Sequence, residues 1–428
     1  MRHHPEQQRW IDSPHRFNVV PAGRRSGKTE IAKRFKLIIR ALEGTAYSNP
    51  RFFAAAPTRD QAKRIWWEDL KALVPRKFLL ARPSETELMI PLVNGSSIWV
   101  IGMDKPERME GTPWDGGVLD EYGNMKPQAW GENVRPALSD RLGWCDFIGV
   151  PEGRNHYYEL NQMAAAEFLD KGLQSDWGAF HWVSADILPP EEIESARRDL
   201  DELTFQQEYE ASFINFVGRA YYGFGEEHKE KLDHNPAAPL IFCFDFNVAP
   251  GVAAVCQEKE WGTAVIGEVW IPQNSNTRSV CRKLVADWKD VHQAGIVCFG
   301  DATGGARGSA KTEGSDWDLV KEELRAGFGN RVSYRVPAAN PAERARINAL
   351  NTRIRAGDGT IRLKVDPSRA PHVVRDFDGV RLLEGGSGEL DKKHDLKLTH
   401  ISDAIGYYIA EAFPLTQNHR LIKTTFRI

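Results

Sequence analysis

The chain has 428 residues, too many for one hydrophobic core, so two domains of about 200 residues each are expected. Hydrophobic residues at 41% and charged residues at 27% exclude a disordered or low-complexity chain. A net charge of −3 excludes an evenly basic nucleic-acid binder, so any such surface has to be a local patch.

No apolar run is long enough to cross a bilayer, and no signal peptide is read at the polar start, Met1-Arg2-His3-His4. The five cysteines have no CxxC spacing and are read as reduced, mostly buried thiols of a cytosolic protein. Near the start, Gln7 and Gln8 stand in Pro5-Glu6-Gln7-Gln8-Arg9-Trp10. A glutamine amide both donates to and accepts from an adenine edge, and nothing in the spacing chooses between the two.

Phe17 to Val20 reads as a short apolar strand and Glu30 to Leu42 as a helix. Between them, Ala22-Gly23-Arg24-Arg25-Ser26-Gly27-Lys28-Thr29 fits the phosphate-loop pattern G-x-x-x-x-G-K-[ST], with Ala22 in place of the first glycine. In such a loop the backbone around Gly23, Ser26 and Gly27 cradles phosphate oxygens at a helix N-terminus. Lys28 is expected to reach the β- and γ-phosphates of ATP, and Thr29 to hold Mg²⁺. Arg24 or Arg25 is a candidate arginine finger supplied in cis.

Arg51 to Ala56 reads as a second strand and Arg59 to Leu73 as a helix. Glu87 to Met103 reads as a hairpin about Asn94-Gly95. Strands alternating with helices predict a parallel α/β sheet. Val118-Leu119-Asp120-Glu121 ends an apolar run in two carboxylates, as a Walker B strand does. Asp120 would position Mg²⁺ and Glu121 would polarise the attacking water as general base. Arg108, shortly upstream, is a candidate finger acting in trans on a neighbouring subunit's nucleotide. Asp146 to Val150 reads as a strand whose tip, Val150, is apolar where many ATPases carry a polar sensor. His181 to Ser184 is read as one more strand and Pro189 to Phe213 as helical.

Glycines and paired tyrosines over 216–225 break the pattern and place the boundary of a second domain. Leu240 to Asn247 is an apolar strand carrying Asp245 in its middle, followed by strands at 251–256 and 263–270 that form an antiparallel meander. After a helix over Ser279 to Gln293, Gly295 to Gly300 delivers Asp301 at its end, ahead of a glycine-rich loop at 302–308. Pro341 to Ile354 reads as a basic helix with Arg344 and Arg346, and Gly385-Gly386-Ser387-Gly388 as a hairpin tip followed by Lys392 and Lys393. These four cations are the candidate DNA contacts. In the last helix, His400 to Ile409, Asp403 lies one turn from His400. Asp245, Asp301 and Asp403 on strand, strand and helix match the ribonuclease-H-like arrangement, in which carboxylates hold two Mg²⁺ or Mn²⁺ ions about 3.5–4 Å apart.

A phosphate-loop ATPase followed by such a nuclease resembles the large terminase subunit of tailed bacteriophages over nearly the whole chain. The resemblance rests on residues 23–29, Ala-Pro-Thr at 56–58, Leu-Asp-Glu at 119–121, Phe-Asp-Phe-Asn at 244–247, Gly-Asp-Ala-Thr-Gly at 300–304 and Ser-Asp-Ala-Ile-Gly-Tyr at 402–407. It implies an α/β fold: a P-loop (ASCE/RecA-like) parallel sheet over 1–217, and a mixed α/β ribonuclease-H-like nuclease domain over 218–428. It also implies ATP-driven packaging of double-stranded DNA into a procapsid and metal-dependent DNA cleavage. The implied partners are the portal protein, a small terminase subunit and further copies of the chain in a ring, usually a pentamer. The implied location is the host cytoplasm, away from membranes. The family's coupling motif has Ser or Thr where this chain has Val150, and the basic tail (His419, Arg420, Lys423, Arg427) is a candidate portal contact. The alternative reading is a helicase-like or repair ATPase whose second domain binds DNA without cutting it.

Overall fold

The computed structural model describes residues 4–214, 218–246, 249–305, 315–383, 388–393, 395 and 397–415. The chain divides into two compact units, Met1–Ile193 with Phe205–Asn215, and Glu194–Thr204 with Phe216–Ile428. The boundary is therefore not one cut near 217. Residues 194–204 belong with the second unit because its hydrogen bonds hold them. The Gly357 N–H donates to the Leu200 carbonyl at 2.7 Å, and the Tyr222 hydroxyl donates to the buried Asp201 carboxylate.

In the first unit the strands are β1 (Phe17–Pro21), β2 (Arg51–Ala56), β3 (Met89–Pro91), β4 (Ser97–Gly102), β5 (Gly116–Asp120), β6 (Trp144–Gly149) and β7 (Trp177–Ala179). They form one sheet in the order β3-β4-β2-β5-β6-β1-β7. Every neighbour pair is parallel except β3 with β4. β1 and β5 are buried at every residue, as expected of strands covered on both faces, whereas β4 alternates. Trp10, Trp66, Trp67 and Trp182 fill one core and Phe17, Phe147 and Tyr157 another. The helix after the phosphate loop runs through Lys28–Ile31, Ala32–Ile38 and Ile39–Glu43, its middle turn wound with π-type hydrogen bonds.

Two expectations shift here. The strand read at 181–184 is β7, four residues earlier. Residues 181–184 make only a bridge, Ala22 to Trp182, before the 3-10 turn Ser184–Asp186. The helix read over 189–213 is two helices, Pro190–Asp199 and Glu202–Glu208, parted where Asp201 is drawn into the second unit.

Lys36 is fully buried, with its ammonium 5.6 Å from the Trp10 ring centre and donating to the Ile11 carbonyl at 3.2 Å. Burial lowers its pKa from 10.5 to about 8, against the pull of Asp146 and with the help of Arg40. Between those values the folded chain binds fewer protons than the unfolded chain, so stability rises with pH across the window. Lys36→Met should flatten that rise, as followed by urea-unfolding midpoints measured across the same window.

The second unit contains β8 (Gly218–Arg219), β9 (Leu240–Asp245), β10 (Gly251–Lys259), β11 (Gly262–Ile271), β12 (Ile296–Gly300), β13 (Val332–Tyr334), β14 (Leu363–Val365) and β15 (Arg381–Leu382). Its main sheet runs β13-β12-β9-β10-β11-β14, with β15 and β8 pairing apart from it. The first three strands of the sheet in chain order, β9, β10 and β11, are antiparallel neighbours. β12 then adds parallel to β9 and β13 parallel to β12, which is the ribonuclease-H-like order. Asp245 closes β9 instead of lying in its middle. The helix read over 279–293 spans Thr277–Trp288 and, with Asp316–Phe328, packs apolar residues on the sheet. The helices Glu343–Ile354 and His400–Ala412 pack on each other, and the latter also lies on β9, β10 and β12.

All five cysteines are buried and unbridged. No helix among the described residues is long and apolar enough to cross a membrane. The tip residues Gly385, Gly386 and Ser387 and the tail cations His419, Arg420, Lys423 and Arg427 lie outside the described residues.

Candidate active sites

The phosphate loop bridges the end of β1 and the helix that starts at Lys28. Gly27 has φ of 87°, a left-handed conformation natural to glycine. Gly23 is needed for another reason: a Cβ there would lie 2.4 Å from the Ser184 hydroxyl and 2.6 Å from the Tyr209 carbonyl. The loop is pinned from outside. Gln7 donates its amide to the Ser26 carbonyl at 2.8 Å, Trp182 donates its indole N–H to the same carbonyl at 3.1 Å, and Ser184 donates to the Arg24 carbonyl at 2.7 Å. Trp182 and Ser184 read in the sequence only as part of a strand, with nothing to tie them to the loop, because they come to it from a bridge beyond β7.

The two glutamines are separated by their partners. Gln7 is buried against the loop, while Gln8 is exposed and bonded to Asp12 at 2.8 Å. Arg24 and Arg25 are both exposed; Arg24 is paired with Glu208 at 2.5 Å, and Arg25 has φ of 58°. Arg108 is exposed on the turn Pro106–Met109.

Sheet order brings the acidic strand to this loop. β6 stands between β1 and β5, and at the strand ends Thr29 donates its hydroxyl to Asp120 Oδ2 at 3.3 Å. Lys28 is 6% exposed and Asp120 1%. Burial, then the neighbouring Glu121, push the Asp120 carboxyl up to about 7, while Lys28 pulls it down. A divalent cation beside Thr29 and Asp120 would offset that burial. Glu121 turns off the strand at φ of 52°, a left-handed position a glutamate seldom takes, beside Gly149 at the end of β6. Such strain concentrates where a side chain has to be aimed. Val150, just past β6, is buried and has no polar side chain to offer a phosphate.

In the second unit, register brings two of the three aspartates together. Phe244 pairs with Gly300, so Asp245 and Asp301 end adjacent parallel strands, spaced about 4.8 Å apart. The Asp301 N–H donates to the Phe244 carbonyl at 3.3 Å. Asp403 comes from the helix His400–Ala412, and His400 on the same helix lies 3.3 Å from Asp245 Oδ2 through Nδ1. Burial pushes the Tyr407 hydroxyl up to about 12, and Asp245, Asp301 and Asp403 all add to it against Arg346. Thr399, at the start of this helix, has φ of 78°. Asp301 Oδ1 accepts from the Thr303 hydroxyl and the Asn340 amide, both at 2.7 Å. Asp403 Oδ1 accepts from Arg346 at 2.7 Å and Oδ2 from Lys392 at 3.3 Å. Burial, together with Asp245, raises the Asp403 pKa, and the two cations oppose the shift.

This donor set is all hard oxygen, the kind Mg²⁺ and Mn²⁺ take. With the side chains as they stand, no group of three or more His, Cys, Asp or Glu among the described residues is placed to hold a metal ion. Asp301 and Asp403 are instead turned to neutral and cationic partners.

The four candidate DNA cations fall into two classes. Lys392 and Lys393 are exposed and Arg344 is half-buried. Arg346 is 5% exposed and ion-paired with Asp403, so it presents nothing to a phosphate backbone. The helix read as basic turns Arg346 inward because its neighbour, the last helix, carries a carboxylate at that level. Asn340 and Gly406 complete this neighbourhood; Asn340 was not singled out from the sequence, and Gly406 was quoted there only as part of the motif at 402–407, with no role of its own. A glycine inside a helix is the kind of signal that would have found Gly406.

No family model matches the chain. It is 28% identical over 233 residues to the large terminase subunit of Thermus phage G20c, covering 48% of this chain and 47% of that protein. It is 27% identical over 215 residues to the large terminase subunit of Escherichia phage T5, covering 49% and 47%. The match thus spans about half the length of the curated relatives. In fold, the large terminase of a thermophilic bacteriophage superposes with a TM-score of 0.59 at 15% identity, over 96% of this chain and 99% of that one. The same neighbour solved with ATP-gamma-S gives 0.58, with the same identity and coverage. The chain has the two-domain fold of the phage large terminases along nearly its whole length, and over about half of it resembles their large subunits in sequence.

Proposed function

We propose that the chain is the motor and nuclease subunit of a phage DNA-packaging machine, hydrolysing ATP in the first unit and cleaving DNA in the second. The observation that carries this reading is the pairing, in one chain, of a pinned phosphate loop facing Asp120 with carboxylates on adjacent strand ends beneath Asp403. In the first unit Lys28 holds the β- and γ-phosphates, Thr29 and Asp120 orient Mg²⁺, and Gln7, whose amide bonds the Ser26 carbonyl, is the glutamine proposed to read adenine. Glu121 takes the proton of the attacking water as it adds to the γ-phosphorus and the β–γ bridging oxygen leaves with ADP. Arg24 or Arg25 supplies transition-state charge in cis and Arg108 in trans.

In the second unit Asp245, Asp301 and Asp403 would hold two divalent ions, which supply Lewis acidity and an activated water for phosphodiester hydrolysis. His400 orients Asp245. Arg344, Lys392 and Lys393 meet phosphates of double-stranded DNA. Partners on this reading are the portal, a small terminase subunit and a homo-oligomeric ring of five copies, working in the host cytoplasm.

A second reading, a helicase-like ATPase whose second unit binds DNA without cutting it, is favoured by one observation: no such carboxylate group among the described residues is set to hold a metal as it stands. Plasmid nicking in Mn²⁺, run beside DNA-stimulated ATP hydrolysis, separates the two; cleavage supports the first reading and its absence the second. DNA affinity should fall steeply with salt. Lys393→Ala should lower the slope of log affinity against log salt by about one. An unchanged slope removes Lys393 from the interface.

A further inference from the structure

We propose that Lys392 is an exchangeable counter-cation of Asp403: its ammonium neutralises Asp403 Oδ2, and would leave that carboxylate when Asp403 takes part in holding a divalent ion. This rests on the nuclease reading above. The two cations on Asp403 are held very differently. Arg346 is 5% exposed, with its guanidinium 2.7 Å from Oδ1 and 4.4 Å from the centre of the Tyr407 ring. Its stem crosses the last helix at Gly406, where a Cβ would lie 2.8 Å from Arg346 Cγ and 2.9 Å from Cδ. The glycine three residues after Asp403 therefore makes the passage through which Arg346 reaches the carboxylate. With a crossing that tight, Arg346 is a fixed positioning residue that holds Asp403 in one orientation.

Lys392 differs on each count. Its side chain is 50% exposed and its ammonium is 3.3 Å from Asp403 Oδ2. The same ammonium is 2.9 Å from Glu343 Oε2, so a second carboxylate receives it when the first is taken. The electrostatic logic is simple. Asp245 and Asp403 repel each other, and without a metal a nearby cation relieves that repulsion. A divalent ion on Oδ2 brings twice the charge and makes the ammonium redundant. Released from Asp403, Lys392 keeps the half-buried Glu343 as partner and can exchange that ion pair for the phosphate of an arriving strand, so metal loading and DNA contact become linked through one side chain.

The test uses the whole chain and Mn²⁺ alone as probe. Mn²⁺ affinity is measured by the electron paramagnetic resonance of the free ion for the unaltered chain, Lys392→Gln, Lys392→Arg and Asp245→Asn. Lys392→Gln should bind Mn²⁺ roughly threefold to fivefold tighter, the scale of one half-exposed ion pair, and Lys392→Arg should restore the original value. Acylation of Lys392 by an amine-reactive ester, read by mass spectrometry, should speed up severalfold when Mn²⁺ is added, and in Asp245→Asn the acceleration should disappear. If Lys392→Gln binds Mn²⁺ no tighter than the unaltered chain while Asp245→Asn weakens binding, the exchange is overturned and the nuclease reading survives. Slower acylation on adding Mn²⁺ overturns the exchange as well. If neither the unaltered chain nor Lys392→Gln binds Mn²⁺, the nuclease reading falls and the exchange with it.

Discussion

Asp245→Asn, and separately Asp403→Asn, should abolish plasmid cleavage in Mn²⁺ while ATP hydrolysis continues at its original rate. A metal pair stabilises several kcal/mol of transition-state charge, so losing one carboxylate ligand should slow cleavage by about 10³-fold or more. The independence of ATP turnover is the sharper part, because Asp245 and Asp403 lie in the second unit and the phosphate loop in the first. Asp403→Asn also leaves Arg346 without its partner at Oδ1, and that arginine is buried. Removing one member of a buried pair costs about 3–5 kcal/mol, so this variant should also unfold at lower denaturant. Asp245→Asn leaves the Arg346 pair intact and is the cleaner of the two. Cleavage by Asp245→Asn at the original rate would remove β9 from the active site.

Glu121→Ala should bind ATP with nearly its original affinity and hydrolyse it about 10²- to 10⁴-fold more slowly, the range of a general base. Lys28→Ala should instead lose ATP binding itself, because Lys28 sits inside the loop and Glu121 stands off the end of β5. The contrast is read with a fluorescent nucleotide for affinity and phosphate release for turnover. Turnover of ATP by Glu121→Ala at the original rate would show that another group takes the proton.

Much of this layout was legible in the chain, for reasons that can be named. A phosphate loop is local: strand, turn and helix start lie within about a dozen residues, and the turn chemistry is carried by glycine, lysine and threonine. Apolar strands carrying Asp120, Asp245 or Asp301 are legible because burying a carboxylate is unfavourable unless something uses it, although the place of Asp245 at the end of β9 was not read. The illegible part was tertiary. Arg346 reads as a surface cation on a basic helix, and only the packing of Glu343–Ile354 against the last helix turns it toward Asp403. Trp182 and Ser184 reach the phosphate loop across the sheet edge, a register no spacing encodes. Residues 194–204 belong to the second unit through Leu200 and Asp201, where the helical pattern predicted continuity with the first.

The most direct test of two separate active sites in one chain is Mn²⁺-dependent nicking of a supercoiled plasmid by Lys28→Ala beside Asp245→Asn. The expected result is nicking at the original rate by Lys28→Ala and none by Asp245→Asn. Equal nicking by both variants, or none by the unaltered chain, would contradict the account.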